Sequence, residues 1–266
     1  MGNLWKRLLF FALGAALCVL VYLFLLNFPP TGRNSPTGGV IAVLVLALGA
    51  GWLTAHFLRL DGLSPAVLGL TARDRPLQRL GIGFVAGCTL TGVWLVLVAV
   101  ATGATWRPNP AFASLALLGA CAFNFFNNVG EELVYRGYAF VRLADRCGAV
   151  VTVLLTSGAF ALLHLQAGLP WLSVIAGVFT SGLVFGAIFA RWRSLPLALG
   201  FHAATNIAQD ASGLRASAAS LWVPDFPAAS ASSGPTILAT IALLNLVLAV
   251  CILLLGRRPR PVPLPQ

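Results

Sequence analysis

The chain has 266 residues, of which 59% are hydrophobic and only 9% are charged, and its mean hydropathy is +0.90. Soluble domains of this length carry about 25% charged residues, so the composition excludes a water-soluble globular protein and indicates a membrane protein. The net charge of +10 does not indicate nucleic-acid binding, because the basic residues are scattered between apolar runs and form no basic face.

Eight apolar runs have the length expected of membrane-spanning helices, which need about 20 residues each. They cover residues 8–28, 40–60, 80–102, 112–140, 149–165, 171–190, 195–209 and 236–255. The first run exceeds the roughly 7–15 residues of a signal-peptide core, so we expect a retained helix. The sequence therefore predicts an all-α, polytopic membrane protein with about eight transmembrane helices, folded as a single transmembrane domain over residues 1–266.

The distribution of basic residues predicts the orientation, because cytoplasmic loops of membrane proteins are enriched in Lys and Arg. If all eight helices span and the N-terminus is cytoplasmic, the external segments hold Arg33, Arg107 and Arg215. The cytoplasmic segments then hold Lys6, Arg7, Arg59, Arg73, Arg75, Arg79, Arg136, Arg142, Arg146, Arg191, Arg193, Arg257, Arg258 and Arg260. Both termini are therefore predicted to be cytoplasmic, in the plasma membrane of a bacterial cell.

The connections and the small residues give further expectations. Residues 61–79 have mixed charge and predict a short amphipathic surface helix, whereas residues 210–235 are rich in Ala, Ser and Pro and predict a flexible external loop. Residues 256–266 form a basic, Pro-rich tail that we expect to be disordered near anionic headgroups. The spacings Gly83-x-x-x-Gly87 and Gly182-x-x-x-Gly186 suit close helix packing.

The only two glutamates of the chain, Glu131 and Glu132, lie within the fourth run. Residues four apart share one face of a helix, so Glu132 lies over Arg136 and can form an ion pair, while Asn127 lies over Glu131. Adjacent carboxylates in different environments commonly have different roles. We therefore interpret Glu132 and Arg136 as a structural pair and Glu131 as a base. The alternative is that both glutamates only cap the bundle at the cytoplasmic interface.

Two of the three histidines strengthen the catalytic interpretation. His164 ends the fifth run, and His202 lies in the seventh run one helical turn before Asn206. Polar groups are expensive inside a bilayer, so this many in a bundle so poor in polar residues indicate a common site. His56 has no polar partner at helical spacing, and we interpret it as an interfacial residue.

One geometric difficulty arises from the predicted helices. The fourth and fifth runs are antiparallel, which places Glu131 toward one end of the bundle and His164 toward the other. The two side chains meet only if the fourth helix extends past residue 136 or the fifth is short or tilted.

At these residues the chain resembles the CAAX protease and bacteriocin-processing (CPBP, or Abi) family of intramembrane peptidases. The family motifs E-E-x-x-x-R, F-x-x-x-H and H-x-x-x-N stand here in order, beginning at Glu131, Phe160 and His202. The resemblance implies an eight-helix fold with a polar cavity open to the membrane and catalytic core helices at about 112–210. It also implies that Glu131 activates water with the help of His164, that His202 and Asn206 hold the oxyanion, and that Glu132 and Arg136 support them.

The residues leave several readings open. We expect no cofactor, but two histidines and a glutamate also form a known catalytic zinc set, which here would be His164, His202 and Glu131. A non-catalytic bacteriocin-immunity or scaffolding protein and a proton-relay transporter are the alternatives to a peptidase. The expected partners are membrane lipids and a peptide or protein substrate, such as one with a lipidated C-terminus or a peptide precursor.

Overall fold

The structure is a computed structural model that describes residues 2–28, 36–215, 217–227 and 234–255. This part of the chain folds into eight helices, which confirms the predicted all-α fold. The helices are α1 Gly2–Asn27, α2 Pro36–Leu60, α3 Pro76–Thr102, α4 Ser114–Arg136, α5 Tyr138–His164, α6 Trp171–Trp192, α7 Leu195–Ala211 and α8 Gly234–Leu254. Within α6, residues Val174–Phe179 form a π-helical stretch.

Among the described residues, six stretches are long and apolar enough to cross a membrane, and one of them, Ser114–His164, contains both α4 and α5. Helix α7 has 17 residues and packs inside the bundle, where ten of its residues are buried. Large apolar side chains of α1, such as Leu9, Phe10 and Leu17, are about 60% exposed, as expected of a surface that faces acyl chains. The chain is therefore a multi-pass membrane protein, while the cytoplasmic position of its termini stays a prediction.

Two of the predicted connections are wrong in part. Residues 61–79 contain two short 3₁₀ helices, Pro65–Leu68 and Ala72–Asp74, in place of an amphipathic helix. Gly69 ends the first of them in the left-handed region at φ 70°, a conformation that stops a helix. Because Leu68 is only 1% exposed, this connection is anchored in the protein core rather than lying on the surface.

A short β-ribbon replaces part of the predicted external loop. Strand β1, Thr105–Pro108, pairs antiparallel with β2, Trp222–Asp225. The indole of Trp106 donates to the Ser212 carbonyl oxygen at 3.0 Å, which ties the ribbon to the end of α7. The flexible loop predicted for residues 210–235 is therefore wrong for these positions, and the predicted disordered tail at 256–266 lies outside the described residues.

A break inside α5 removes the geometric difficulty met in the sequence. Gly148 has φ 78° and ψ 166°, which divides α5 into residues 138–147 and 149–164. The second segment returns beside the end of α4, where the rings of Tyr135 and Phe160 lie 5.3 Å apart. Glycine tolerates this positive φ without steric cost, and beyond the break His164, at the end of α5, lines the same cavities as Glu131 of α4.

Helices α3 and α7 pack through glycines at backbone contact. A Cβ atom on Gly83 would lie 2.1 Å from the Leu197 carbonyl oxygen, and one on Gly200 would lie 2.1 Å from the Leu80 carbonyl oxygen. The predicted close approach at Gly83 and Gly87 is therefore present. At Gly182 a Cβ would lie 3.2 Å from that of Ser157, which places α6 against α5. Such approaches supply dispersion contact where lipid gives no hydrophobic driving force between helices.

We expect Gly83→Ala to separate α3 from α7 and to lower the thermal unfolding temperature of the detergent-solubilised protein by several degrees. Gly81→Ala is the matched control, because a Cβ there meets nothing within 4 Å. Alanine also has the higher helix propensity, by about 1 kcal/mol, so the control should be neutral or slightly stabilising. Equal behaviour of the two variants would contradict the contact.

Candidate active site

The centre of the site is an ion pair buried completely inside the bundle. Arg136 Nη1 donates to Glu132 Oε1 at 3.0 Å, and both side chains are 0% exposed. The other terminal nitrogen of Arg136 donates to the Gly182 carbonyl oxygen at 3.1 Å. A charge without water needs such pairing, because an uncompensated buried ion costs several kcal/mol.

Aromatic rings surround the guanidinium of Arg136. Its central carbon lies 5.7, 5.2 and 5.6 Å from the ring centroids of Tyr135, Phe160 and Phe185. The negative faces of aromatic rings attract a cation, and a desolvated contact is worth about 2 kcal/mol. These rings come from α4, α5 and α6, so Arg136 joins the three helices at one point.

Glu131 has a different environment from its neighbour. Its side chain is 17% exposed, and its Oε1 accepts a 2.9 Å hydrogen bond from Asn127 Nδ2, one helical turn earlier. Its Oε2 lies 3.6 Å from His202 Nε2. The two adjacent carboxylates thus divide as the sequence predicted, with Glu132 paired to arginine and Glu131 facing open space.

His202 links the two glutamates. Its Nδ1 lies 2.9 Å from Glu132 Oε1, and its ring stacks on Phe185 at a centroid distance of 4.1 Å. Because a carboxylate can only accept, Nδ1 carries the proton and donates it to Glu132. The opposite nitrogen, Nε2, is therefore held toward Glu131.

His164 is oriented by its own helix. Its Nδ1 donates to the Phe160 carbonyl oxygen at 2.9 Å, which leaves Nε2 as the acceptor in the neutral imidazole. The ring of Phe160 contacts His164 edge-on at 4.5 Å and His202 at 5.8 Å. Phe160 therefore touches both histidines and Arg136, which gives a physical reason for phenylalanine at this place in the motif.

The amide of Asn206 is held from both sides. Its Nδ2 donates to Asn128 Oδ1 at 3.0 Å, and its Oδ1 accepts from Arg215 Nη2 at 3.0 Å. Arg215 also lies 3.6 Å from Asp210, and Asp210 accepts a 2.7 Å bond from Asn124. The arginine thus turns the carbonyl oxygen of Asn206 toward itself and the amide nitrogen toward α4.

All four residues assigned to catalysis from the sequence line one cavity of about 410 Å³: Glu131, His164, His202 and Asn206. Glu131 and His164 also line a smaller, mostly apolar cavity of about 120 Å³ that reaches α1. A third cavity, of about 560 Å³, continues along α1 and shares Val19, Leu23 and Leu163 with the cavity of about 120 Å³. The polar cavity therefore borders an apolar path to the lipid-facing side of the bundle.

The zinc alternative has a weaker geometric basis. In the part of the chain that the structure describes, no three His, Cys, Asp or Glu side chains converge closely enough to hold a metal ion. The Nδ1 atoms of His202 and His164 are engaged by Glu132 and by a backbone carbonyl, an arrangement that metal-binding histidines share, so these bonds do not distinguish the two readings. His56 lies apart from the site and stacks on Trp52 at 5.3 Å.

Several residues of the site were not singled out from the sequence, among them Asn128, Phe185 and Arg215. Asn128 lies four residues before Glu132, so its helical spacing would have revealed it. Phe185 stands in a long apolar helix, and Arg215 lies in the connection after α7, where no periodic pattern constrains it. Only the folded chain brings these two to the cavity.

The comparison with protein families agrees with this geometry. Residues 112–208 match the family described as "Type II CAAX prenyl endopeptidase Rce1-like". The match includes Glu131, Glu132, Arg136, His164, His202 and Asn206, and it confirms the resemblance seen in the motifs. No curated protein and no solved structure shows significant similarity to the chain. Residues 112–208, which contain the six motif residues of the candidate site, are therefore similar to the Rce1-like family of CAAX-type endopeptidases.

Proposed function

We propose that this protein is an intramembrane endopeptidase of the bacterial plasma membrane that hydrolyses peptide bonds with a water activated by Glu131. The observation that carries this proposal is one cavity of about 410 Å³ that holds Glu131 beside two differently oriented histidines. The similarity of residues 112–208 to a family of endopeptidases supports it.

Glu131 is the proposed general base. The hydrogen bond from Asn127 orients one carboxylate oxygen and leaves the other to accept a proton from water. A positioned base of this kind contributes about 10²–10⁴-fold to a rate. His164, with Nδ1 bound to a backbone carbonyl, can receive that proton from Glu131 on Nε2 and deliver it to the leaving amine nitrogen as the C–N bond breaks.

His202 and Asn206 are the proposed oxyanion donors. With His202 protonated, two carboxylates face two cations, and the group of Glu131, Glu132, Arg136 and His202 is electrically neutral. The protonated Nε2 then donates to the carbonyl oxygen as negative charge develops there. One hydrogen of the Asn206 amide is bound to Asn128, and the other can donate to the same carbonyl oxygen. One such donor contributes about 10²–10³-fold to the rate.

We further propose that catalysis needs no metal. Exhaustive treatment of the purified protein with a chelator should then leave the turnover within about twofold of the untreated enzyme. A matched sample that receives zinc after chelation should show no gain. Loss of turnover on chelation with recovery on zinc addition would establish the zinc set of His164, His202 and Glu131 instead.

The apolar cavities along α1 suggest the substrate class. Their walls contain aliphatic residues such as Val19, Leu23 and Leu163, and they border the Glu131 side of the polar cavity. A peptide that carries a lipid chain near its C-terminus, or an apolar peptide precursor, would place that chain among these residues and its peptide bond at Glu131.

Comparative proteomics tests the proposed function. Membranes with the wild-type chain and membranes with Glu131→Ala should differ in a small set of proteins whose C-terminal or precursor peptides are cut only by the wild type. A fluorogenic prenylated C-terminal tetrapeptide, assayed in parallel, tests the lipidated class directly. The outcome against a peptidase is that both membranes contain the same cut peptides and that wild type and Glu131→Ala support a cellular phenotype equally. The protein would then be a non-catalytic immunity or scaffolding factor.

Arg215 is predicted to position Asn206. We expect Arg215→Gln to lower turnover about 10-fold, because it removes the group that orients the Asn206 amide. The unfolding temperature should change little, since the side chain is 51% exposed. Arg107→Gln, an exposed arginine on β1, is the matched control and should keep full turnover. An unchanged turnover in Arg215→Gln would remove Arg215 from the site.

A further inference from the structure

A second polar cavity lies at the end of the bundle where α3 and α7 begin and α6 ends. It has a volume of about 570 Å³ and contains four arginines, Arg73, Arg75, Arg79 and Arg193, which we call the arginine pocket. The single acidic residue in its wall is Asp74. The pocket is separate from the Glu131 cavity, with which it shares no lining residue.

Carboxylates near this pocket do not form ion pairs with its arginines in the part of the chain that the structure describes. Asp74 uses one carboxylate oxygen to accept from both the backbone N–H and the hydroxyl of Thr71, at 2.9 and 2.5 Å. Among the described residues, none of the four guanidinium groups forms a salt bridge. Four guanidinium groups thus line one cavity, and the carboxylate among them, Asp74, has one oxygen already hydrogen-bonded to Thr71.

Arg193 is the most confined of the four. It is half-buried, and its Nη1 is a buried atom without a hydrogen-bond partner in the described structure. Burial lowers the pKa of its guanidinium, and the field of Asp145 acts in the opposite direction without a direct salt bridge. A buried cationic donor without an acceptor is costly, and an anion in the pocket would offset the positive charge of this guanidinium.

The backbone makes the pocket a built feature. Gly69, at φ 70°, packs so closely that a Cβ there would lie 2.7 Å from the Arg193 carbonyl oxygen. The preceding 3₁₀ helix anchors this connection in the core through Val67 and Leu68. Arg75 and Arg193 themselves have positive φ values of 51° and 46°, which non-glycine residues seldom adopt. The surrounding packing therefore holds both arginines in uncommon conformations at the pocket.

The position of the pocket indicates which anion it meets. It lies at the ends of membrane helices, and its wall includes Trp192, which is 41% exposed. Exposed tryptophans at helix ends are typical of the membrane–water interface, where lipid headgroups lie. Basic pockets between helix ends at this level suit phosphate-bearing headgroups. We propose that the arginine pocket binds the phosphate headgroup of an anionic membrane lipid.

Native mass spectrometry and thermal unfolding of the full chain in neutral detergent test this proposal, with phosphatidylglycerol as the probe. The wild type should retain phosphatidylglycerol and unfold several degrees higher in its presence, whereas phosphatidylcholine should have no such effect. Arg79→Gln combined with Arg193→Gln should weaken phosphatidylglycerol binding about 30-fold, since each arginine contributes roughly fivefold to attraction of an anionic surface.

The matched control combines Arg59→Gln with Arg146→Gln, which removes two exposed arginines outside the pocket. It should retain lipid as the wild type does. Equal weakening in control and pocket variants, or full binding by the pocket variant, would overturn the proposal. The unfolding temperature is also measured with inorganic phosphate in place of the lipid. If phosphate raises it as much as phosphatidylglycerol does, the pocket binds free phosphate and the lipid assignment is wrong.

Discussion

Glu131→Gln is expected to reduce turnover by about 10²–10⁴-fold while the protein remains folded. Glutamine nearly matches glutamate in shape and can still accept the hydrogen bond from Asn127, but it cannot take a proton from water. Because Glu131 is 17% exposed and makes no contact with Arg136, its charge contributes little to packing. The measurement is turnover of the substrate found by proteomics, with the unfolding temperature recorded on the same preparation.

Asn127→Ala provides the graded comparison for this variant. It leaves the carboxylate in place and removes the group that orients it, so a smaller loss, about 10-fold, is expected. A Glu131→Gln protein that retains turnover within about twofold would refute the role of Glu131 as the base. A protein that no longer folds would instead assign Glu131 to the structural pair.

The second large effect concerns the stability of the core. Arg136→Met should destabilise the protein by about 3–5 kcal/mol, because it leaves the fully buried Glu132 carboxylate without its cation. Glu132→Gln should destabilise the protein by a similar amount, because it leaves the buried Arg136 guanidinium without its anion. The free energy of unfolding in mixed micelles, measured by titration with a denaturing detergent, gives these values.

The double variant, Glu132→Gln with Arg136→Met, separates stability from activity. Replacing a whole buried ion pair by neutral groups is often close to neutral, so most of the lost stability should return. Turnover should stay low, because His202 no longer donates to a carboxylate and its orientation is weaker. A double variant that is as unstable as the sum of the two single variants would show that the pair is not coupled.

Glu131 and Glu132, which are adjacent in α4, lie in different environments. A rotation of about 100° per residue directs Glu132 into the interior against Arg136, while Glu131 faces the cavity. His202 lies between both carboxylates, with Nδ1 2.9 Å from Glu132 Oε1 and Nε2 3.6 Å from Glu131 Oε2. A change to either glutamate therefore acts on this histidine. The buried pair orients the histidine, and in the proposed mechanism Glu131, which faces the cavity, takes the proton from water.

The fold and much of the site follow from sequence patterns alone. Apolar runs of about 20 residues predict eight helices, because a backbone in lipid must satisfy its hydrogen bonds within each segment. Helical spacing predicts the bonds from Arg136 to Glu132 and from Asn127 to Glu131, since both pairs are four residues apart. Such contacts are local, so no knowledge of the tertiary fold is needed to expect them.

Other features depended on how distant segments meet. Gly148 directly precedes the predicted fifth run, so the sequence places a boundary there, but it does not show that His164 beyond this break reaches the cavity of Glu131. The β-ribbon between residues 105–108 and 222–225 joins segments more than 100 residues apart. Chain connectivity carries no signal for a pairing at that separation, which is why the prediction of a flexible loop was wrong there.

What the sequence by itself determined, then, is the membrane class, the helix count and the polar residues that share a helical face. Only the tertiary structure decided that His202 lies between both glutamates, that Arg215 holds Asn206, and that four arginines surround a second cavity. The physical reason is the range of the interactions: hydrogen bonding along one helix and partition into lipid act on neighbouring residues. Packing between helices and ion pairing across loops depend on contacts that the folded chain alone creates.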